Sequence, residues 1–149
     1  MRYLFMIFIF LTFLFGQNLE IVSKIFTYDS KKNLSIFKGD VNATKGKDNI
    51  LSDEMYVFFD KNKKPLKFIA LGHVKFLMAL DENATYKGKC DKLTYLIKSG
   101  DVILEGDAYI QKLETNESIK GDVIKINRVT KDIDVTGNKK PVNIIIKVD

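Results

Sequence analysis

The most informative stretch of this sequence is Ile36-Phe37-Lys38-Gly39-Asp40-Val41-Asn42-Ala43, because versions of it return at near-constant spacing. Two clear copies occupy residues 70–76 and 104–110, and a degenerate copy occupies residues 135–138. The glycines of the four copies lie 33, 34 and 31 residues apart. Self-similarity with a period of about 20 to 50 residues is typical of one supersecondary unit that is stacked several times.

Each copy alternates between apolar and polar residues. In the first copy, Phe37, Val41 and Ala43 share one face with the glycine, and the polar residues share the other. A period of two predicts β-strands. No window after residue 30 keeps the spacing of an amphipathic helix. A glycine that recurs inside a strand indicates a bend, a bulge or a close approach of two backbones.

A second motif lies between successive glycines, so that each period holds two strands. A small residue and an aspartate are followed by large apolar residues two and four positions later, as in Ser52-Asp53-Glu54-Met55-Tyr56-Val57. The same pattern occupies residues 90–95 and 121–126. Turn residues separate the strands at 61–65, 99–101 and 131–132. The sequence therefore predicts an all-β fold built from repeated strand pairs.

Other segments complete the expected organisation. Residues 19–28 and 141–148 predict a first and a last strand, and Pro141 suits the first residue of an edge strand. Polar interruptions at 80–86 and 114–118 predict longer exposed connections.

The start of the chain predicts export from the cytoplasm. Residues 3–15 form an apolar run between Arg2 and Gly16, which is typical of a signal peptide over residues 1–16. Thirteen helical residues span only about 20 Å, whereas a bilayer core is about 30 Å thick. An uncleaved N-terminal anchor remains the alternative. The full chain of 149 residues, of which 46% are hydrophobic, has the length and composition for one domain, and we expect that domain over residues 17–149.

The composition disfavours an enzyme, a metal centre and a cofactor site. His73 is the only histidine and Cys90 the only cysteine, so no intrachain disulfide can form. We expect His73 to be a polar residue that faces solvent and Cys90 to be a small buried residue. No nucleophile with a neighbouring base is evident. The net charge of +5 is dispersed over turns and polar faces. This disfavours a nucleic-acid partner and leaves an anionic lipid open.

Three Asn-x-Ser/Thr triplets begin at Asn42, Asn83 and Asn116. An acidic residue lies two positions before each asparagine: Asp40, Asp81 and Glu114, respectively. This five-residue form resembles the acceptor sequence of bacterial periplasmic N-glycosylation. We expect Asn83 and Asn116 to be the better candidates, because Asn42 falls inside a predicted strand.

The apolar leader, the glycine strands and the aspartate strands together resemble the OstA-like family of periplasmic lipopolysaccharide-transport proteins. The resemblance covers residues 17–149 and is clearest at 37–41, 104–110 and 119–124. Lys139 departs from the family pattern, which has an apolar residue after the fourth glycine. The resemblance implies an antiparallel β-jellyroll whose two sheets hold the acyl chains of lipid A between them. It also implies head-to-tail self-association into a bridge between transport components of the inner and outer membranes.

The inward positions of the predicted strands could receive such chains if the two sheets splay apart. They are Phe37, Val41, Met55, Val57, Phe68, Val74, Phe76, Leu93, Tyr95, Leu104, Ile110, Ile124 and Ile126. Two alternatives stay open. One is a membrane-anchored relative with the same fold, which would keep its leader. The other is a structural β-repeat protein with a filled core and no ligand.

Overall fold

A computed structural model describes residues 18–148 of the chain as a series of ten β-strands. The strands are β1 (Leu19–Val22), β2 (Ile25–Asp29), β3 (Leu34–Lys45), β4 (Asp48–Phe59), β5 (Pro65–Asp81), β6 (Ala84–Leu96), β7 (Asp101–Lys112), β8 (Ser118–Asn127), β9 (Ile133–Thr136) and β10 (Asn143–Ile145). Within this part of the chain, no helix is long and apolar enough to cross a membrane. The leader over residues 1–16 lies outside the described residues.

All ten strands belong to one antiparallel sheet. Its order is β1-β3-β4-β5-β6-β7-β8-β10, so the central strands follow one another as hairpins. Both β1 and β2 pair with β3, β1 along its C-terminal half and β2 along its N-terminal half. In the same way, β9 and β10 both pair with β8. Each edge of the sheet is therefore one strand that is interrupted in the middle.

The repeated glycines are the sites of β-bulges. Gly39, Gly72 and Gly106 have φ angles of 88°, 84° and 85°, and the residue after each also has a positive φ. The register between neighbouring strands shifts at each of these pairs. An extra residue in one strand bends it and increases its local twist. The strand glycines of the sequence repeat therefore mark bends, as expected.

The bulges line up across the sheet and form one crease. The crease consists of the Gly-x pairs of β3, β5 and β7 and the facing residues Asp53, Asp91 and Asp122 of β4, β6 and β8. The breaks of both edge strands continue the same line. On one side of the crease lies layer A, made of β1, β10 and residues 41–45, 48–52, 74–81, 84–90, 108–112 and 118–121. On the other lies layer B, made of β2, β9 and residues 34–38, 54–59, 65–71, 92–96, 101–105 and 123–127.

Close packing at the crease explains why two of the bulges require glycine. A Cβ atom added at Gly106 would lie 2.3 Å from Oδ2 and 2.7 Å from Cβ of Asp91. One added at Gly72 would lie 2.4 Å from Oδ2 of Asp53. The glycine motif and the aspartate motif are therefore two halves of one contact between neighbouring strands.

The folded sheet encloses a single apolar core. Twenty hydrophobic residues are buried, and they come from both layers. In the aspartate strands, successive inward residues are three positions apart at the crease instead of two. For example, Ser52 and Met55 both point inward, and Asp53 between them is exposed. The strand therefore keeps its apolar side inward on both sides of the bend. The expectation of an all-β jellyroll of repeated strand pairs is confirmed.

Three boundaries differ from the sequence-based expectation. Residues 80–86 are not a long connection, because only Glu82 and Asn83 separate β5 from β6. The first strand is broken at Ser23 and Lys24, where it crosses the crease. The last strand is shorter than expected, since β10 covers only Asn143–Ile145 and the residues around it are exposed. The connection over 113–117, by contrast, is an exposed loop as predicted.

The fourth glycine copy does not form a bulge. Gly137 follows the end of β9, and the chain is irregular and exposed as far as Val142. The side chain of Asp122 holds this irregular segment in place. Its Oδ2 accepts hydrogen bonds from the backbone N–H groups of Lys139 (2.7 Å) and Lys140 (3.1 Å). Lys139 is exposed, so this copy contributes no inward face beyond β9.

Candidate functional site

A cavity of about 250 Å³ lies between the two layers. Both halves of β5 contribute to its walls: Pro65 and Phe68 of layer B face it together with Phe76 and Met78 of layer A. The sharp bend at Gly72 brings these two halves of one strand to opposite walls. The cavity is larger than the engineered cavity of about 150 Å³ that holds benzene. The space between the layers is therefore not completely filled by side chains.

Five of the thirteen predicted interior residues line this cavity. They are Met55, Phe68, Phe76, Leu93 and Tyr95. The other eight are buried in the core away from it: Phe37, Val41, Val57, Val74, Leu104, Ile110, Ile124 and Ile126. All thirteen belong to the core or pack against it. Their inward orientation is as predicted, and their contact with a ligand stays a prediction.

Several lining residues were missing from the sequence-based set. Leu19, Ala43, Ile50, Met78 and Val102 lie on inward positions, so the strand alternation was the signal that could have identified them. Pro65, Leu77 and Ile97 also contribute. The polar members are Lys45, Asp48, Asn49 and Arg128, and the sequence gives no signal that brings these four together.

An ion pair joins the two layers at the rim of the cavity. Nη2 of Arg128, just after β8 in layer B, lies 2.8 Å from Oδ2 of Asp48, the first residue of β4 in layer A. The two side chains are only 26% and 30% exposed. Oδ1 of Asp48 also accepts a hydrogen bond of 2.9 Å from the backbone N–H of Ala79. The guanidinium of Arg128 lies 5.8 Å from the ring centre of Tyr95.

A second ion pair crosses between the layers from the same connection. Nζ of Lys131, between β8 and β9, lies 3.1 Å from Oδ2 of Asp81 at the end of β5. The backbone N–H of Asn83 and the Lys131 ammonium together lower the pKa of Asp81. The side opposite the crease is therefore the mouth between the layers, and the connection after β8 spans it.

The crease is polar on its outer side. Nδ1 of His73 lies 2.8 Å from Oδ2 of Asp53, and this hydrogen bond raises the pKa of His73. Lys24 pairs with Asp40 at 3.1 Å. The side chain of His73 is 89% exposed, as the sequence predicted. Within residues 18–148, no three His, Cys, Asp or Glu side chains are grouped so that they could hold a metal ion.

Cys90 lies on the inner side of the same crease. It is buried, as expected, and burial raises the pKa of its thiol to about 12. The thiolate is the reactive form of cysteine. Cys90 therefore contributes packing to layer A, and its thiol is held in the unreactive form.

The three asparagines of the Asn-x-Ser/Thr triplets have different surroundings. Asn42 lies within β3, between β1 and β4, and its Oδ1 accepts a hydrogen bond of 2.8 Å from Nδ2 of Asn49. Asn83 is the second residue of the turn between β5 and β6, and Asn116 lies in the loop between β7 and β8. All three are exposed.

Comparison with known proteins gives the family. The profile of the family described as LptA/(LptD N-terminal domain) LPS transport protein matches residues 20–132. No curated protein matches the sequence. A similar solved structure is the crystal structure of LptH from Pseudomonas aeruginosa, described as the LptA homologous periplasmic component of the lipopolysaccharide transport device. It aligns with a TM-score of 0.78 at 15% identity, over 89% of this chain and 97% of that chain, which shows a common fold. Since the family profile covers most of the domain, the chain belongs to the LptA and LptD N-terminal domain family of lipopolysaccharide-transport proteins.

Proposed function

We propose that this member of the family binds the acyl chains of lipid A between layers A and B and carries lipopolysaccharide across the periplasm. The observation that carries the proposal is the cavity between the layers, with walls that are apolar except near Arg128, Asp48, Lys45 and Asn49. A ligand with an apolar end and a charged end matches this distribution. Export by the predicted leader and the periplasmic location of LptH support the compartment.

The energetic reason for such a cavity is the cost of exposed hydrocarbon. Each CH₂ group transferred from water to an apolar site contributes about 0.8 kcal/mol, so a twelve-carbon chain contributes about 10 kcal/mol. A lipid with several such chains cannot cross an aqueous compartment unshielded. A cavity of about 250 Å³ is too small for all of them, so binding requires the two layers to move apart at the mouth.

The two edges of the sheet support assembly into a bridge. Layers A and B end at β1 and β2 on one side and at β9 and β10 on the other. An edge strand offers a row of backbone N–H and C=O groups to another strand. Pairing of one edge with the opposite edge of the next copy would continue the groove, and the same edges could pair with transport components at either membrane.

The first test is mass spectrometry of lipids that are extracted from the purified exported protein. Lipid A species are expected in the extract, and added lipid A is expected to bind. If neither is found, the lipid-carrier proposal fails and the chain is a structural β-repeat protein without a lipid ligand. N-terminal sequencing of the same material tests the leader: a start near residue 17 indicates a cleaved signal peptide, and a start at the initiator region indicates a retained anchor.

A matched pair of variants tests the location of the site. Ala43 is a small residue of β3 that faces the cavity, and Leu51 lies on the outer face of the neighbouring strand. Ala43→Phe fills part of the cavity and is expected to weaken lipid A binding at least tenfold, whereas Leu51→Phe adds a ring outside it and is expected to change binding less than twofold. Equal effects of the two variants would place the lipid elsewhere.

A further inference from the structure

The geometry points to Arg128 as a phosphate-binding residue at the mouth of the cavity, occupied by Asp48 when no ligand is present. This inference rests on the proposed lipid-binding function and assigns the charged end of the ligand to one side chain. We infer that a phosphate on the ligand headgroup replaces the Asp48 carboxylate on the Arg128 guanidinium. The exchange breaks an ionic contact between the layers, so headgroup binding and opening of the mouth are coupled.

The residue type at this position supports the assignment. The chain has 24 lysines and arginines, and only Arg2 and Arg128 are arginines. A guanidinium presents a planar set of donors that binds phosphate or carboxylate through two parallel hydrogen bonds, and it is less strongly hydrated than an ammonium group. Arg128 is the single arginine among the described residues of this lysine-rich chain, and it lies where it holds the partly buried carboxylate of Asp48.

The contacts around the pair allow the exchange. When the ionic contact between Arg128 and Asp48 breaks, Asp48 keeps the hydrogen bond from the backbone N–H of Ala79. Its carboxylate is therefore not left without a partner. Arg128 lies beside the ring of Tyr95, which also lines the cavity. A cation near an aromatic face is stabilised there. The guanidinium can therefore remain at the rim while its anionic partner changes.

The second ion pair limits how far one exchange opens the mouth. Lys131 and Asp81 also join layer B to layer A, and neither residue lines the cavity. After the phosphate has replaced Asp48 on Arg128, this exposed pair still connects the two layers across the mouth. An exposed ion pair contributes little stability, so it offers small resistance to further opening.

The test compares two lipids that have the same acyl chains. Binding of lipid A with both phosphates and of chemically dephosphorylated lipid A is measured for the wild type, Arg128→Gln, Asp48→Asn and the control Lys125→Gln. The control removes one positive charge from β8 without touching the cavity. We expect Arg128→Gln to weaken binding of the phosphorylated lipid about tenfold, as for the loss of a charge-assisted hydrogen bond. Binding of the dephosphorylated lipid should not weaken, because this lipid has no phosphate to lose and the ion pair that holds the mouth closed is gone.

Asp48→Asn should strengthen binding of the phosphorylated lipid severalfold, because the competing carboxylate is removed. The double variant Asp48→Asn, Arg128→Gln has no unpaired charge and should behave as Arg128→Gln does, which separates loss of the site from loss of folding. Equal weakening for both lipids, or the same weakening in Lys125→Gln, would overturn the phosphate site. If the wild type binds both lipids equally, only this inference fails; if it binds neither, the proposed function fails.

Inorganic phosphate distinguishes a lipid headgroup from a free anion. The apolar part of the lipid supplies most of the binding energy. Inorganic phosphate at about 10 mM is therefore expected to compete only weakly with lipid A. Complete displacement of lipid A by phosphate, without an effect of equal ionic strength from chloride, would assign Arg128 to the free anion and overturn the headgroup assignment.

Independently of the ligand, we propose that Asn83 and Asn116 are N-glycan acceptors. Both lie at exposed hairpin ends of layer A, outside the strands. The two ends are neighbours: the backbone N–H of Thr85 donates to Oε1 of Glu114 at 3.0 Å. Asn42 carries the same five-residue pattern, but strands pair with β3 on both sides of it. The folded backbone at Asn42 cannot enter an enzyme's acceptor site without breaking these pairs.

Intact-mass measurement tests this second proposal. The full chain is exported in a bacterial host that carries a periplasmic N-oligosaccharyltransferase and its lipid-linked glycan. Two glycan additions are expected, one lost in Asn83→Gln and the other in Asn116→Gln, with no change in Asn42→Gln. Absence of glycan additions, or their loss in Asn42→Gln alone, would refute it.

Discussion

The close approach of Gly106 and Asp91 makes the crease sensitive to a single methyl group. In Gly106→Ala, an L-residue must adopt a φ near 85°, and its Cβ must lie where the side chain of Asp91 is now. The left-handed backbone costs about 1–2 kcal/mol for a residue with a Cβ. Crowding that the backbone must relieve adds about 1–3 kcal/mol. We expect the free energy of unfolding to fall by about 2–5 kcal/mol, a large part of the total for a small domain.

Urea unfolding measures this loss, and Gly46→Ala is the matched control. Gly46 also has a positive φ, of 59°, but lies exposed in the turn between β3 and β4. Gly46→Ala should therefore show only the backbone cost of about 1–2 kcal/mol. The urea midpoint should fall further for Gly106→Ala, with an unchanged slope if unfolding stays two-state.

A double-mutant cycle identifies the contact itself. Asp91→Gly removes the Cβ and the carboxylate that the new methyl group would meet, so its effect and that of Gly106→Ala should be less than additive by about 1 kcal/mol or more. Equal midpoints for Gly106→Ala and Gly46→Ala, or additive effects in the cycle, would refute the view that close packing at the crease requires glycine.

Three further predictions follow from single side chains. Leu104→Ala removes a fully buried side chain and should lower the free energy of unfolding by about 2–5 kcal/mol in the same assay. Cys90 should react with a thiol reagent at pH 8 only as fast as the protein unfolds, because burial raises the pKa of its thiol to about 12; rapid labelling of the folded protein would contradict this. Asp122→Asn should destabilise the protein at neutral pH, because the backbone N–H groups of residues 138–140 lower the pKa of the Asp122 carboxyl below its usual 3.8. This stabilisation is complete above the unfolded pKa and is lost as pH falls through the folded pKa, so the difference between wild type and variant should disappear in strong acid; a difference independent of pH would exclude the charge as the cause.

The interior of the domain could be read from local patterns. Alternation at Phe37 and Val41, and the spacing of Met55 and Val57 after Asp53, predicted side chains that are buried in the structure. A strand has a fixed period of two, so the sequence alone indicates which residues share a face. The alternation could not show that Val57 packs in the filled part of the core while Phe68 faces the cavity.

The connections were harder to predict because polar composition does not fix loop length. Asp81, Glu82 and Asn83 indicated a long loop between β5 and β6, yet the register of the strands closes it with a two-residue turn. Likewise, residues 19–28 have the composition of one strand, and only the bend of the neighbouring β3 splits them.

The repeat of glycines and aspartates by itself determined that the chain forms paired strands with a regular bend, because periodicity is a property of local sequence. Only the tertiary structure decided that the bends align into one crease, that the two halves of each strand then face each other, and that Arg128 meets Asp48 across the resulting mouth. These two residues are eighty positions apart, and their contact depends on the accumulated register of every strand between them.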